Sequence, residues 1–294
     1  MFYYFLFLLL FYNSQNKVLG DIIKIGVLCC KRTFENTLIY RYLSKRSPTT
    51  FVNPKKLNLD GVDLILSRIE RDYLEEGLKA LEYIEKITDI RVINPRRSVE
   101  ICQNKYSTYK ELKEYMPTSI LVSQDNLQDM EYLIEDTGLR FPLVLKPVYG
   151  GYGNGVLKLE NREDLKDLLS RYCRRNPNNF IIQEYIPYRH DLRAFVIGDR
   201  IVCTMERIPK NDWRANCSLG AETRRFYTDG DIEDMVLKCV KRVGAHIVGV
   251  DVLIDMEGNP YILEMNITPQ FRNIMKYSNI PLEILRFVEM FYDN

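Results

Sequence analysis

Residues 247–266 read IVGVDVLIDMEGNPYILEMN, two apolar and largely β-branched runs around the link Glu257-Gly258-Asn259. Runs of this kind predict strands, and so short a link predicts an antiparallel hairpin. The interior of the hairpin nevertheless carries Asp251, Glu264 and Asn266. With a turn over Met256–Asn259, Asp255 is expected opposite Pro260, and counting back four on each strand sets Asp251 opposite Glu264. The two-residue period of a strand then puts Asn266 on the face of Glu264. Two carboxylates facing each other across a half-buried sheet repel unless a cation lies between them. Two carboxylates and an amide oxygen, with neither His nor Cys beside them, favour magnesium or manganese over zinc. The competing reading is a polar, solvent-facing side of the hairpin.

Upstream, LVLKPVYGGYGNGVLKL sets Gly150, Gly151, Gly153 and Gly155 between two predicted strands, with Lys146 at the end of the first. Glycines let a backbone come close to a phosphate and present its N–H groups. The GK[ST] ending of a Walker loop is missing, and a strand rather than a helix follows, which excludes the dinucleotide fingerprint. A plain hairpin turn is the alternative. FIIQEYIP (180–187) is an apolar strand ending in Gln183-Glu184-Tyr185-Ile186, able to offer backbone groups to a purine edge or simply to be a buried strand. HDLRAFVIG and NDWRANCSLG supply Asp191, Arg193, Arg214 and Asn216. Such arginines suit phosphoryl oxygens, and equally suit surface salt bridges.

The rest of the chain frames these motifs. IIKIGVLCC and GVDLILSRI (61–69) read as strands buried on both faces of a parallel sheet, LEEGLKALEYIEKI (74–87) as an amphipathic helix and RVINP as a further strand. SVEICQNKYSTYKELKEYMP reads as one helix, SILV as a strand, EDLKDLLSRYC and VLKCVKRVG (236–244) as helices, and DLRAFVIGDRIVCTMERI as a hairpin. The fold class is thus α/β followed by α+β. Its expected parts are an apolar extension at 1–20, an α/β domain at 21–100, a subdomain with the glycine loop at 101–182 and one with the metal site at 183–294.

With 294 residues, of which 46% are hydrophobic and 28% charged, the chain has the composition of a folded globular protein. Its 41 Lys and Arg balance 40 Asp and Glu, so bulk attraction to nucleic acid is excluded and phosphate binding must be local. Seven scattered cysteines without CxxC spacing point to reduced thiols and a cytoplasmic location. The apolar start MFYYFLFLLLFY is too short to span a bilayer and lacks a signal peptide's basic flank, so no stable membrane association is expected.

Taken in order, QNK, LKPxxGGxGxGV, QEYI, DLRAFVIG, WRANxSLGA and GVDVLID…YILEMNxTP resemble the ATP-grasp fold, and within it the RimK-like carboxylate–amine ligases. The resemblance implies an ATP-grasp fold behind an N-terminal Rossmann-like domain. It implies that Lys105 and Lys146 bind nucleotide phosphates under the loop Gly150–Gly155. Gln183, Glu184, Tyr185 and Ile186 would hold the adenine and Asp191 the ribose. Arg214, Ala215 and Asn216 would contact the nucleotide, Arg193 and Arg214 would steady the transferring phosphoryl group, and Asp251, Glu264 and Asn266 would ligate two Mg²⁺ or Mn²⁺ ions. The implied reaction activates a carboxylate with ATP and joins it to an amine, with L-glutamate as amine, a carboxylate-bearing coenzyme as acceptor and a homo-oligomeric enzyme. A ligase for another amino acid, and a nucleotide-binding regulator without chemistry, are the alternatives. Leu219, where many similar chains carry a basic residue, and the less typical ITPQFRNIMKYSNIP leave the substrate open.

Overall fold

The computed structural model describes residues 23–151, 153–170, 179–210, 212–215 and 220–293; the expected extension at 1–20, Asn216 and Leu219 lie outside them. The first sheet is wholly parallel. It contains β1 (Ile25–Leu28), β2 (Thr49–Val52), β3 (Leu64–Ser67) and β4 (Arg91–Ile93) in the order β2-β1-β3-β4. Every residue of β1 and β3 is buried, which is why their sequences run apolar without alternation. Helix α1 (Phe34–Leu43) follows β1 and is capped by Thr33, whose hydroxyl accepts from Asn36 N at 3.2 Å. Helix α2 (Leu74–Ile87) buries Gly77, Ala80, Leu81 and Ile84, the spacing of one helical face. Helix α1 and strand β2 carry too weak a periodicity to be read from the sequence.

The segment expected to form one helix is broken at Asn104 into α3 (Arg96–Gln103) and α4 (Lys105–Leu112). Asn104 is extended (φ −112°, ψ 110°) and its side chain accepts from Ser107 N at 2.9 Å, capping α4. The break frees the backbone N of Lys105 to donate to Val148 O at 3.1 Å. Lys105 is thereby pinned to the start of the glycine loop.

The second sheet is antiparallel, in the order β5-β8-β6-β7. Its strands are β5 (Ser119–Val122), β6 (Leu143–Pro147), β7 (Leu157–Leu159) and β8 (Phe180–Glu184), with helices α5 (Met130–Asp136) and α6 (Arg162–Leu168) between them. Strand β8 spans the expected boundary at 182/183. The third sheet, order β11-β10-β9-β12-β13, holds β9 (Tyr188–Ile197), β10 (Arg200–Ile208), β11 (Glu222–Phe226), β12 (Ile247–Asp255) and β13 (Pro260–Asn266).

One face of the third sheet, with Leu192, Ala194, Val248, Val250 and Val252, packs on α7 (Gly230–Val243) through Val236, Cys239 and Val240. On the other face Phe195, Ile197 and Ile247 share a core with Val27 and Leu66 of the first sheet and with α8 (Ile280–Asp293). That second face turns polar where it leaves the core, and there the candidate site begins. None of the described helices is long and apolar enough to cross a membrane.

Candidate active site

Asp251 and Glu264 do stand opposite each other, by a route the count along the hairpin does not foresee. Ile254, not Asp255, pairs with Pro260, because Asp255 belongs to the turn and its side chain accepts from Glu257 N and Asn259 N at 2.9 and 2.7 Å. The register then shifts between Val252↔Ile262 and Asp251↔Glu264, leaving Leu263 as a bulge. The bulge decides the chemistry. In a regular strand Ile262 and Glu264 would share a face, whereas here Ile262 is buried in the core against α7 and Glu264 turns to the opposite side. Asn266, two residues on, joins it: Asn266 Nδ2 donates to Asp251 Oδ2 at 3.3 Å.

The row continues across β9, where Arg193 pairs with Asp251. Arg193 Nε lies 2.8 Å from Asp251 Oδ1, and its Nη1 donates to Gly249 O at 3.3 Å. A Cβ on Gly249 would come within 2.6 Å of Arg193 Nη1, so only glycine lets the guanidinium lie across β12. Beside this row, buried Asp191 accepts from Arg207 Nε at 2.6 Å, and Arg207 Nη2 reaches Asp251 Oδ1 at 3.2 Å. Burial pushes the Asp191 carboxyl up to about 6 despite Arg207, with Asp251 adding to the rise.

Lys105 closes the other side. Its Nζ donates to Gly150 O at 2.7 Å and lies 3.5 Å from Glu264 Oε1. Burial would raise the Glu264 carboxyl, but Lys105, Arg193, Arg71 and Lys146 together outweigh it and hold the group below its usual range. Lys146 donates to Gln183 Oε1 at 2.5 Å, and Gln183 Nε2 in turn to Ser119 Oγ at 2.9 Å. Burial, with Lys105 adding to it, pulls the Lys146 ammonium down to about 8 against the attraction of Glu264.

The facing carboxylates are therefore already flanked by cationic side chains. A hard cation still fits the donor set: Asp251 Oδ1 is buried and makes no hydrogen bond of adequate geometry despite its ion pairs, Glu264 stays ionised, and Asn266 adds an amide. Among the described residues no group of three or more His, Cys, Asp or Glu is placed to hold a metal ion, so the donor set consists of two carboxylates and an amide.

These groups border one cleft of about 1130 Å³ between the three sheets. Every nucleotide, phosphoryl and metal residue singled out in the sequence borders it, apart from Asn216, which, like Leu219, lies outside the described residues. Gly153 and Gly155 take positive φ (75° and 71°), the conformation that four closely spaced glycines allow. Arg214 braces the loop: it donates to Gly153 O at 2.9 Å and to both carboxylate oxygens of Asp212 at 2.9 and 2.7 Å. Tyr185 meets Trp213 edge-on at 6.0 Å and lies under Lys158 Nζ at 4.3 Å, forming an aromatic wall.

Sequence reasoning missed Arg207, Arg68 and Arg71. Arg207 was visible only through its place in the register. Arg68 and Arg71 follow β3 directly, at the carboxyl end of a parallel strand where the sheet order reverses, and that position is itself a signal for ligand binding.

Together, a glycine loop, buried lysines and a carboxylate row between two antiparallel sheets define a nucleotide-dependent phosphoryl-transfer cleft. Residues 104–288 match the RimK-like ATP-grasp domain, and the chain belongs to that family. It is 30% identical over 195 residues to the alpha-aminoadipate–LysW ligase LysX of Saccharolobus solfataricus, covering 64% of this chain and 70% of that one. It is 31% identical over 200 residues to the tetrahydromethanopterin:alpha-L-glutamate ligase of Methanocaldococcus jannaschii, covering 65% and 67%. Its fold is shared with the ATP-grasp ligase PsnB, solved with a minimal precursor, Mg and ADP, at a TM-score of 0.67 and 17% identity over 91% of this chain and 96% of that one. The fold is thus that of the ATP-grasp ligases behind a Rossmann-like N-terminal sheet, and the protein is an ATP-dependent carbon–nitrogen ligase of a family that uses ATP with Mg²⁺.

Proposed function

We propose that the protein joins L-glutamate, through its α-amino group, to a carboxylate on a coenzyme such as the γ-glutamylated deazaflavin of methanogens or tetrahydromethanopterin. The likeness to the tetrahydromethanopterin:alpha-L-glutamate ligase supports the substrate pair. The observation that carries the chemistry is the row Arg193–Asp251–Glu264 facing Lys105 and Lys146, a site made for charge neutralisation.

In the proposed reaction a carboxylate oxygen of the acceptor attacks the γ-phosphorus of ATP, and the bond to the bridging oxygen breaks toward ADP. The glutamate nitrogen then attacks the acyl carbon, the carbon–oxygen bond to phosphate breaks, and the nitrogen gives up a proton. Such a sequence asks for alignment and electrostatic stabilisation rather than a side-chain nucleophile. Lys105 and Lys146 hold the phosphates, the backbone of Gly150–Gly155 covers them, and Arg193 and Arg214 steady the transferring group. Gln183 and the link Glu184–Ile186 hold the adenine, Asp191 the ribose, and Ala215 and Asn216 complete the nucleotide contacts. Asp251, Glu264 and Asn266 would hold two Mg²⁺ or Mn²⁺ ions, which would supply charge neutralisation for the phosphates. The assembly is a cytoplasmic homo-oligomer whose parts divide near residues 100 and 182.

ADP release, screened with amino acids against glutamylated coenzymes and acidic carrier proteins, tests this reading. Release with glutamate and a coenzyme is expected. Release only with LysW, the substrate named for the LysX relative, or only with another amino acid, would replace the proposed pair.

A further inference from the structure

Two guanidinium groups of the first sheet face the cleft without a full set of partners. Arg71 follows β3 in the first turn leading to α2, borders the cleft and is half-buried, and its guanidinium makes no hydrogen bond or ion pair among the described residues. Its position is fixed from two sides. A Cβ on Gly151 would come within 2.8 Å of Arg71 Nη1, so the guanidinium lies against the glycine loop, and its charge is felt at Glu264. Arg68, 2% exposed, donates Nε to Asn36 Oδ1 at 3.0 Å and Nη2 to Pro269 O at 3.1 Å, which leaves buried Nη1 unpartnered. A guanidinium held in a low-dielectric place without an acceptor is costly, and a ligand carboxylate, which matches its planar fork, would relieve that cost.

The nearby acids do not fill this role. Glu70 accepts from the backbone N of Cys30 and Lys31 at 2.9 Å each and from Asn36 Nδ2 at 3.4 Å, so its oxygens are turned to the loop after β1. Glu35 is buried and acts on Arg68 through charge alone, without an ion pair between them.

We infer that Arg71, backed by Arg68, is the anchor for a carboxylate of the acid substrate, holding it on the first-sheet wall across from Glu264 and beside the phosphate-covering loop. The inference rests on the ligase reading above and adds the residues that select a polyanionic acceptor. Arg71 is a binding and orienting residue, and the carboxylate it grips stays on the substrate.

The test uses the full chain with Mg²⁺ and a non-hydrolysable ATP analogue, titrated calorimetrically with the dipeptide γ-L-glutamyl-L-glutamate. Arg71→Ala is expected to weaken dipeptide binding about 10-fold or more, the scale of a lost charge-assisted pair. Arg71→Lys should recover part of it, because the charge returns without the fork. Affinity for the analogue should stay within about 3-fold. Loss of analogue binding with dipeptide binding intact would make Arg71 part of the nucleotide site and overturn the anchor. Equal dipeptide binding by the wild type and Arg71→Ala, or none by the wild type, would overturn it as well. Dipeptide binding that depends on Arg71, in a protein that releases no ADP with glutamate and any acid, would instead leave the anchor standing and remove the substrate pair proposed above.

Discussion

On the β12–β13 wall of the cleft the charged side chains are matched, Asp251 through strand register with Arg193 and Arg207, and Glu264 by Lys105 of α4. Among the described residues the opposite wall, after β3, presents Arg71 without an ion pair and Arg68 with one nitrogen unmatched. On the first wall each charge has an opposite charge beside it, although Asp251 Oδ1 still lacks a hydrogen bond of adequate geometry. The second is short of an anion. On the proposed reading, the difference separates a site that binds what every turnover needs from one that awaits a particular substrate.

Removing a carboxylate from the matched wall breaks this comparison most severely. Glu264→Ala takes away the proposed cation ligand and the partner of Lys105 at once, and turnover should fall on the order of 10³-fold, the scale of a lost transition-state stabiliser. Because Glu264 lies at the edge of the core, with its side chain 24% exposed, the fold should persist. Steady-state kinetics beside a thermal melt checks both halves; wild-type kcat in a folded variant would contradict the role.

Lys146 sharpens the contrast, since it is buried on the matched side and yet held down to about 8. Only the protonated form attracts phosphate, so the KM for ATP should rise as pH climbs through about 8. Lys146→Ala should weaken nucleotide binding about 10- to 100-fold and flatten that dependence. Stability moves the other way. The unfolded chain keeps this proton up to about 10.5, so across that window it binds more protons than the folded one, and stability gained with rising pH should vanish in the variant. Nucleotide titrations and melts across pH 7 to about 10 measure both.

The same contrast explains what could be read in advance. Helix α2 and strands β1, β3, β12 and β13 announce themselves through local periodicity, and Asp251 with Glu264 through the period of a hairpin. The break at Asn104 was hidden because its cause, Lys105 N bonding Val148 O, joins residues far apart in the chain. Arg68 bonds Asn36 and Pro269, distant in sequence on either side, so that wall exists only once the first sheet docks on the third. Local patterns expose sites built within one hairpin, and conceal those assembled between domains.

A plain count along the hairpin sets Asp255 opposite Pro260; the true register starts one residue earlier on β12, and the bulge at Leu263 makes up the difference, so that Asp251 still meets Glu264. Deleting Leu263 distinguishes the two registers. In an unbulged strand a deletion would turn every residue on one side of it to the other face. Here it should restore plain alternation, keeping Ile262 in the core, Glu264 and Asn266 toward Asp251, and Met265 buried. The variant should therefore fold and retain ligase turnover. What it loses is the side chain of Leu263 from the cleft, so the expected cost is a several-fold rise in KM for ATP with a melting temperature lower by a few degrees. A shortened chain that fails to fold, or folds without binding nucleotide, would show that the bulge carries more of the strand's geometry than the register assigns to it.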